Sequence, residues 1–195
     1  MSGIRPTGFL HLGNYFGAMR NYVKMQETHT CFFMVADLHS LTTHPDTTEL
    51  KKNVQRVIAE NIACGLNPEK VALYCQSHLY ETSELYLYLN MLAYKGELEK
   101  TATFKDKARL HPQNINAGLL TYPVLMDTDI LIHRASYVPV GKDQEQHLEM
   151  TRNFAQRFNH RYGDVFPEPM AFNFGETLLK VPSLDGTGKM SKSEN

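Results

Sequence analysis

The sequence predicts an α/β fold, a parallel sheet flanked by helices, and three features carry that expectation. Residues 31–36 form a continuous apolar run of strand length, as suits a strand covered on both faces. A helical pattern then leads to a second strand-like run at 71–75, and strand, helix, strand in that order reads as a right-handed parallel βαβ unit. Ahead of both, Pro6-Thr7-Gly8-Phe9-Leu10-His11-Leu12-Gly13-Asn14 runs straight into Tyr15, Phe16, Met19, Tyr22 and Val23. These apolar residues recur at three- and four-residue steps, so a loop feeds a helix.

The 195 residues suffice to bury one sizeable core, and one domain is expected. Lys and Arg number 20 against 21 Asp and Glu, so no global basic field attracts nucleic acid, and local patches must hold any such partner. Cys31, Cys64 and Cys75 are odd in number, far apart and set in apolar segments. That argues against a disulfide frame or a CxxC metal site and for buried thiols in a reducing compartment. No apolar run approaches the roughly 20 residues of a membrane helix and no signal-peptide pattern opens the chain, so a soluble cytoplasmic protein is expected.

Taken in order, residues 1–4 are too few for a comfortable strand, although a loop-to-helix phosphate site should follow one. His11 to Asn14 sit at a helix N-terminus, where unpaired N–H groups and the positive dipole end favour phosphate. Gly13 lets a flat ligand approach the backbone, and His11 and Asn14 point to one side of the first turn. The run at 31–36 ends in Asp37-Leu38-His39-Ser40, and ligands bind beyond the carboxyl ends of such strands. Asp37 and His39 are therefore placed to face a site, with loop capping and a surface position as the plain alternatives. Asp46 with Glu49 reads as a capping box for a helix whose apolar face is Leu50, Val54, Val57, Ile58 and Ile62. Gly65 closes that helix and Pro68 forbids its continuation.

A further helix over 82–94 carries Leu85, Leu89 and Leu92 in a stripe with Tyr86, Tyr88 and Tyr94 around it, which signals core or a protein contact. Lys105 reads as a solvated charge, and His111-Pro112-Gln113-Asn114 as a flexible surface loop. The apolar helix over 119–132 carries Asp127 and Asp129, which two residues of spacing send to different faces. At most one is expected inward, where it needs a donor, a cap or an ion pair. Residues 137–140 form a short buried strand, and Asp143 with Gln146 gives a second capping box. Leu148, Phe154, Ala155 and Phe158 supply that helix's buried face, with His147 structural. Beyond Arg161 the chain reads as irregular until Asp185-Gly186-Thr187-Gly188, a hinge into Lys189-Met190-Ser191-Lys192-Ser193.

Together, His11-Leu12-Gly13-Asn14 and Lys189-Met190-Ser191-Lys192-Ser193 resemble the HIGH and KMSKS signatures of class I aminoacyl-tRNA synthetases, the second letter for letter. Gly3-Ile4-Arg5-Pro6-Thr7-Gly8 and Gly13-Asn14-Tyr15 are closer to the tryptophanyl branch of that family than to the tyrosyl branch. The resemblance covers essentially the whole chain and implies a Rossmann-type catalytic domain over 1–195, with a helical insertion around 78–118 at a homodimer contact. It also implies a start trimmed by several residues and a helical anticodon-reading domain absent here. The implied activity joins L-tryptophan to the 3′ end of tRNA(Trp) through tryptophanyl-adenylate, with ATP as co-substrate and Mg²⁺ carried on its phosphates, so no protein metal site is expected.

By the same resemblance His11, Asn14, Lys107, Lys189 and Lys192 stabilise the reacting phosphates, Lys107 by meeting the pyrophosphate. Arg5, Thr7, Gly13, Asn14, Gly141, Asp143, Lys189, Met190, Ser191 and Lys192 hold ATP. Gly3, His39, Met126, Asp129, Ile130, Val138, Val140 and Gln144 line the tryptophan site, with Asp129 accepting the indole N–H. The family more often has alanine around Asp127 and Thr128, a departure that bears on local packing. A tyrosyl enzyme, and a truncated relative that binds nucleotide without turnover, are the alternatives.

Overall fold

The computed structural model describes residues 1–43, 46–110, 112–139 and 145–172. Their contacts gather them into two compact units, one of residues 2–37 and 46–76, the other of residue 1, residues 38–43 and the described part of 77–172.

The first unit is built on a three-stranded parallel sheet in the order β1 (Ser2–Ile4), β2 (Phe32–Val35), β3 (Ala72–Cys75). The apolar run puts β2 in the middle, with Phe33 and Val35 buried. Ser2–Ile4 do make a strand, against expectation. The ladder of β2 supplies partners at Phe33, Met34 and Val35, and Ala36 N–H donates to the Ile4 carbonyl at 2.9 Å. Gly3 is required by close approach, since a Cβ there would stand 2.6 Å from Cγ of Met34.

The helical run after the signature loop is three consecutive pieces: α1 (Leu12–Asn14), a π-helical turn (Tyr15–Met19) and α2 (Arg20–Met25). Tyr22 of α2 stacks on Phe33 with ring centroids 4.3 Å apart, and its hydroxyl meets Ser2 Oγ at 2.7 Å. Burial pushes its phenol up to about 12. Helix α4 (Leu50–Ala63) packs on β2 and buries Val57. Ile62 departs from the expected face and stays 43% exposed, because five residues on from Val57 is about 140° around the helix. The capping box at its start is also not formed. Asp46 turns its carboxylate onto the N–H and hydroxyl of Thr48, closing a turn ahead of the helix, and these bonds hold its carboxyl below the usual range. At the other end Gly65 adopts φ +107°, the left-handed conformation that ends helices.

The second unit is a bundle of α5 (Glu81–Leu92), α8 (Ala117–Leu131) and α9 (Glu145–Tyr162), with α3 (Asp37–Ser40) leading in from the first unit and α6 (Lys95–Leu98) and α7 (Ala102–Leu110) packed on α8. Leu89, Leu92, Leu98, Val124, Leu131, Phe154 and Ala155 form its core, so the leucine stripe of α5 faces inward. Tyr80, Leu87, Tyr88, Met91 and Tyr94 remain exposed. Asn116 caps α8 by accepting from Leu119 N–H at 2.9 Å, and its Nδ2 reaches the Thr42 carbonyl at 3.0 Å. Asn114, the last residue of the loop expected to be flexible, donates to the Thr43 carbonyl at 3.3 Å. β4 (Tyr137–Pro139) pairs in parallel with β5 (Met170–Phe172), a three-residue strand directly after Pro167 and Pro169 that sequence pattern does not reveal. No helix among the described residues is long and apolar enough to cross a membrane.

Candidate active site

In the first unit the signature loop shapes itself almost entirely by local bonds. His11 is extended (φ −122°, ψ 171°) and its carbonyl accepts from Asn14 N–H at 2.8 Å and Tyr15 N–H at 3.2 Å. The Asn14 side-chain oxygen accepts from His11 N–H at 3.1 Å, so the two residues expected on one side of the first turn are bound to each other. That leaves the NH₂ half of Asn14, with the N–H groups of the first turn, as the donors an anion would meet. Arg5 and Thr7 are exposed, Gly13 is half-buried, and Gly8 turns the chain at φ +67°. Phe9 is 67% exposed with the Arg56 guanidinium 4.0 Å from its ring centre. The π turn directly behind the loop has a wider ring than an α-turn, a deviation often found at functional sites.

In the second unit the carboxylate helix gathers partners from far along the chain. His39 Nε2, on α3, lies 2.9 Å from Asp129 Oδ2, on α8, and both side chains are withdrawn from solvent. Two expected tryptophan-site residues, 90 apart in sequence, are thereby in contact. Met126 and Ile130, which flank Asp129 in sequence, belong with Val138 and Leu148 to one apolar cluster.

Asp127 overturns the expectation that at most one carboxylate faces inward, because Asp127 is 1% and Asp129 2% exposed. The spacing argument holds, since two residues on a helix are about 200° apart. What fails is the assumption of one buried face. α8 is buried almost all round, so Asp127 meets α9 while Asp129 meets α3. Thr151 Oγ1 lies 2.6 Å from Asp127 Oδ1 and 3.0 Å from the His147 carbonyl oxygen, and Asp127 Oδ2 has no hydrogen-bond partner among the described residues. Burial raises the Asp127 carboxyl well above its ordinary range, the Thr151 contact opposes that, and the nearby Asp129 charge adds to it.

Tyr122 is the residue that sequence reasoning passed over. Its hydroxyl is 3.2 Å from His147 Nε2, its ring centre lies 6.3 Å from that of His39, and Lys107 Nζ sits 3.9 Å above the ring. A signal existed: Tyr122 stands four residues before Met126 and seven before Asp129, on their helix face. Lys107 is thus found on an aromatic plate, while Lys105 is exposed as expected. Gln146 Oε1 accepts from Ala102 N–H at 3.4 Å, while the capping box expected of it with Asp143 lies outside the described residues. Gly141, Asp143, Gln144, Val140, Lys189, Met190, Ser191 and Lys192 lie outside the described residues. Among the described residues no three His, Cys, Asp or Glu side chains gather as metal ligands.

The family model for class I tRNA synthetases (W and Y) matches residues 1–195. The chain is 63% identical over 195 residues to the Tryptophan–tRNA ligase of Porphyromonas gingivalis, covering 100% of this chain and 60% of that protein. It is 48% identical to the Tryptophan–tRNA ligase of Caldanaerobacter subterraneus subsp. tengcongensis, covering 99% of this chain and 59% of that one. Among solved structures, the tryptophanyl-tRNA synthetase of Campylobacter jejuni complexed with ADP and tryptophan superimposes with a TM-score of 0.88 at 39% identity, over 98% of this chain and 59% of that one. The chain therefore spans about 60% of the length of the curated relatives it matches.

Proposed function

The chain belongs to the class I tRNA synthetases of the W and Y type, and from that premise we propose that it carries the amino-acid activation site of a tryptophan–tRNA ligase. The observation that carries this reading is the contact between His39 of α3 and the buried Asp129 of α8, the helix that also bears Met126 and Ile130. An indole offers a flat apolar body and one N–H that only donates. A carboxylate accepts at about four lone-pair positions, so pairing with His39 leaves capacity for that N–H. The apolar cluster supplies the wall against which the ring loses water.

In the first step an oxygen of the tryptophan carboxylate attacks the α-phosphorus of Mg²⁺-bound ATP in line. The bond from that phosphorus to the bridging oxygen breaks, pyrophosphate leaves, and tryptophanyl-adenylate remains. The nucleophile is ionised at neutral pH, so the site needs no general base. Its task is to position the reactants and neutralise the leaving group. His11, the Asn14 NH₂ group and the helix N-terminus hold phosphate, Arg5, Thr7 and Gly13 border the nucleotide, and Lys107 leaves the Tyr122 ring for the pyrophosphate. Gly141 and Asp143 hold the ribose, Gln144 the substrate amine, Gly3 and Val140 close the amino-acid pocket, and Lys189, Met190, Ser191 and Lys192 close on the triphosphate. In the second step a ribose hydroxyl at the 3′ end of tRNA(Trp) attacks the carbonyl carbon and AMP leaves. The exposed apolar side chains of α5 fit a homodimer contact around residues 78–118, and the tRNA substrate fits a cytoplasmic protein.

Exchange of labelled pyrophosphate into ATP tests the reading on this chain, with tryptophan, with tyrosine and with neither. Exchange that depends on tryptophan is expected. Exchange with tyrosine alone identifies the tyrosyl branch, and none from folded protein identifies a binding module without turnover.

A further inference from the structure

We infer that Asp127 is a positioning residue that acts as a neutral carboxylic acid, fixing the roll of α8 against α9 so that Asp129 is aimed at its partner. The inference rests on the tryptophan-site reading above. It starts from a count of hydrogens. Thr151 Oγ1 stands within hydrogen-bonding distance of two oxygens, Asp127 Oδ1 at 2.6 Å and the His147 carbonyl at 3.0 Å. A threonine hydroxyl carries one hydrogen and can donate only once. With Asp127 ionised, one of the two contacts holds two oxygens with no hydrogen between them, and Oδ2 is a buried charged atom without a partner among the described residues. With the proton on Oδ1 both contacts are satisfied in series: Asp127 donates to Thr151, which donates to His147. Oδ2 is then a carbonyl oxygen, far cheaper to leave unpaired than half a carboxylate.

The surrounding charges favour the same assignment. Asp129, two residues on, is the nearby carboxylate and stands against His39, and its charge opposes ionisation of Asp127. On α9, His147 directs Nε2 to the Tyr122 hydroxyl, and Lys107 lies over the Tyr122 ring. Two ties therefore lock the helices, Tyr122 to His147 and Asp127 to Thr151, five residues apart on α8 and one turn apart on α9. Met126, Asp129 and Ile130 lie within one turn of the second tie. Releasing it lets the indole acceptor swing, while His11 and Asn14 stand on other elements.

The test compares D127N and D127A with the wild type in pyrophosphate exchange, with infrared spectra of each. An asparagine amide can donate to Thr151 as the protonated acid does, so D127N is expected to keep the tryptophan KM within about twofold. D127A is expected to raise it about tenfold, the worth of one misplaced hydrogen bond, with the ATP KM unchanged. If D127A does not fold, T151V breaks the same tie and is expected to act alike. The wild-type spectrum should contain the carbonyl stretch of a protonated acid that D127N lacks. D127N behaving like D127A, an unchanged tryptophan KM in D127A and T151V, or absence of that band overturns the proposal. A wild type without tryptophan-dependent exchange overturns the functional reading instead, and the infrared band then decides the state of Asp127 alone.

Discussion

The signature loop and the carboxylate helix make their candidate sites in opposite ways. At the loop the ordering bonds span three or four residues, from His11 to Asn14 and Tyr15, and the side chains stay half in solvent. At α8 they span 90 residues from His39 to Asp129 and 24 from Asp127 to Thr151, and the carboxylates are buried. The difference matches the ligands proposed for each. A triphosphate is recognised by charge and backbone N–H groups, which an exposed helix start provides without help from the core. An indole is recognised by excluding water around one polar atom, which only a core can do. Loss of a polar group should therefore cost far more at α8 than at the loop.

The largest expected effect is from Asp129→Ala. It removes the indole acceptor and leaves His39 in a buried site without its carboxylate. Removing one partner of a buried pair costs about 3–5 kcal/mol. The kcat/KM for tryptophan in exchange should fall by about 10³-fold, discrimination against other amino acids should drop, and the ATP KM should move by less than about threefold. Unchanged amino-acid preference removes Asp129 from the site.

Asn14→Ala should have a middling effect and the opposite split. It deletes the cap on His11 N–H, worth about 1 kcal/mol, together with the amide NH₂ that would meet phosphate. The expected result is an ATP KM raised about tenfold with the tryptophan KM unmoved. Equal changes in both constants would mean that the loop serves the two substrates alike and that the contrast between regions is false.

A pH titration of stability sharpens the contrast further. The folded-state carboxyl of Asp127 is raised above its unfolded value, so the folded protein holds a proton that the unfolded chain releases. Its contribution is fully present below about pH 4 and is lost as pH rises toward the folded value, at up to about 1.4 kcal/mol per pH unit. Urea midpoints should thus show D127N gaining on the wild type as pH rises from about 4. Parallel curves would mean that Asp127 is ionised throughout. The smallest effect is expected from Tyr122→Leu on stability through Lys107, about 0.5–1 kcal/mol for a half-exposed cation over a ring, read by comparing the loss in Lys107 and Lys107→Met backgrounds.

Much of this was legible without coordinates, and the limit falls at a definite place. The runs at 31–36 and 71–75, the leucine stripe of α5, and the glycine that ends α4 are periodic or conformational signals carried by neighbours in sequence, and they reappear as β2, β3, α5 and Gly65. A resemblance at the loop and at Lys189 to Ser193 led to the family. By contrast, residues 1–4 looked too short for a strand because the partner that completes them is 31 positions away, at Phe33 to Val35. Asp46 offered the letters of a capping box and took Thr48 instead, since two arrangements of similar local energy cannot be separated by spelling alone.

What the sequence determined by itself was the kind and order of the elements, because backbone periodicity and glycine conformation depend on residues within a turn or two of each other. The tertiary structure alone decided how many faces of α8 are buried, and with that the partners of its two acids and the raised carboxyl of Asp127. Solvation of a carboxyl depends on everything packed around it, and its neighbours here, His39 and Thr151, come from helices that precede and follow α8 in the chain.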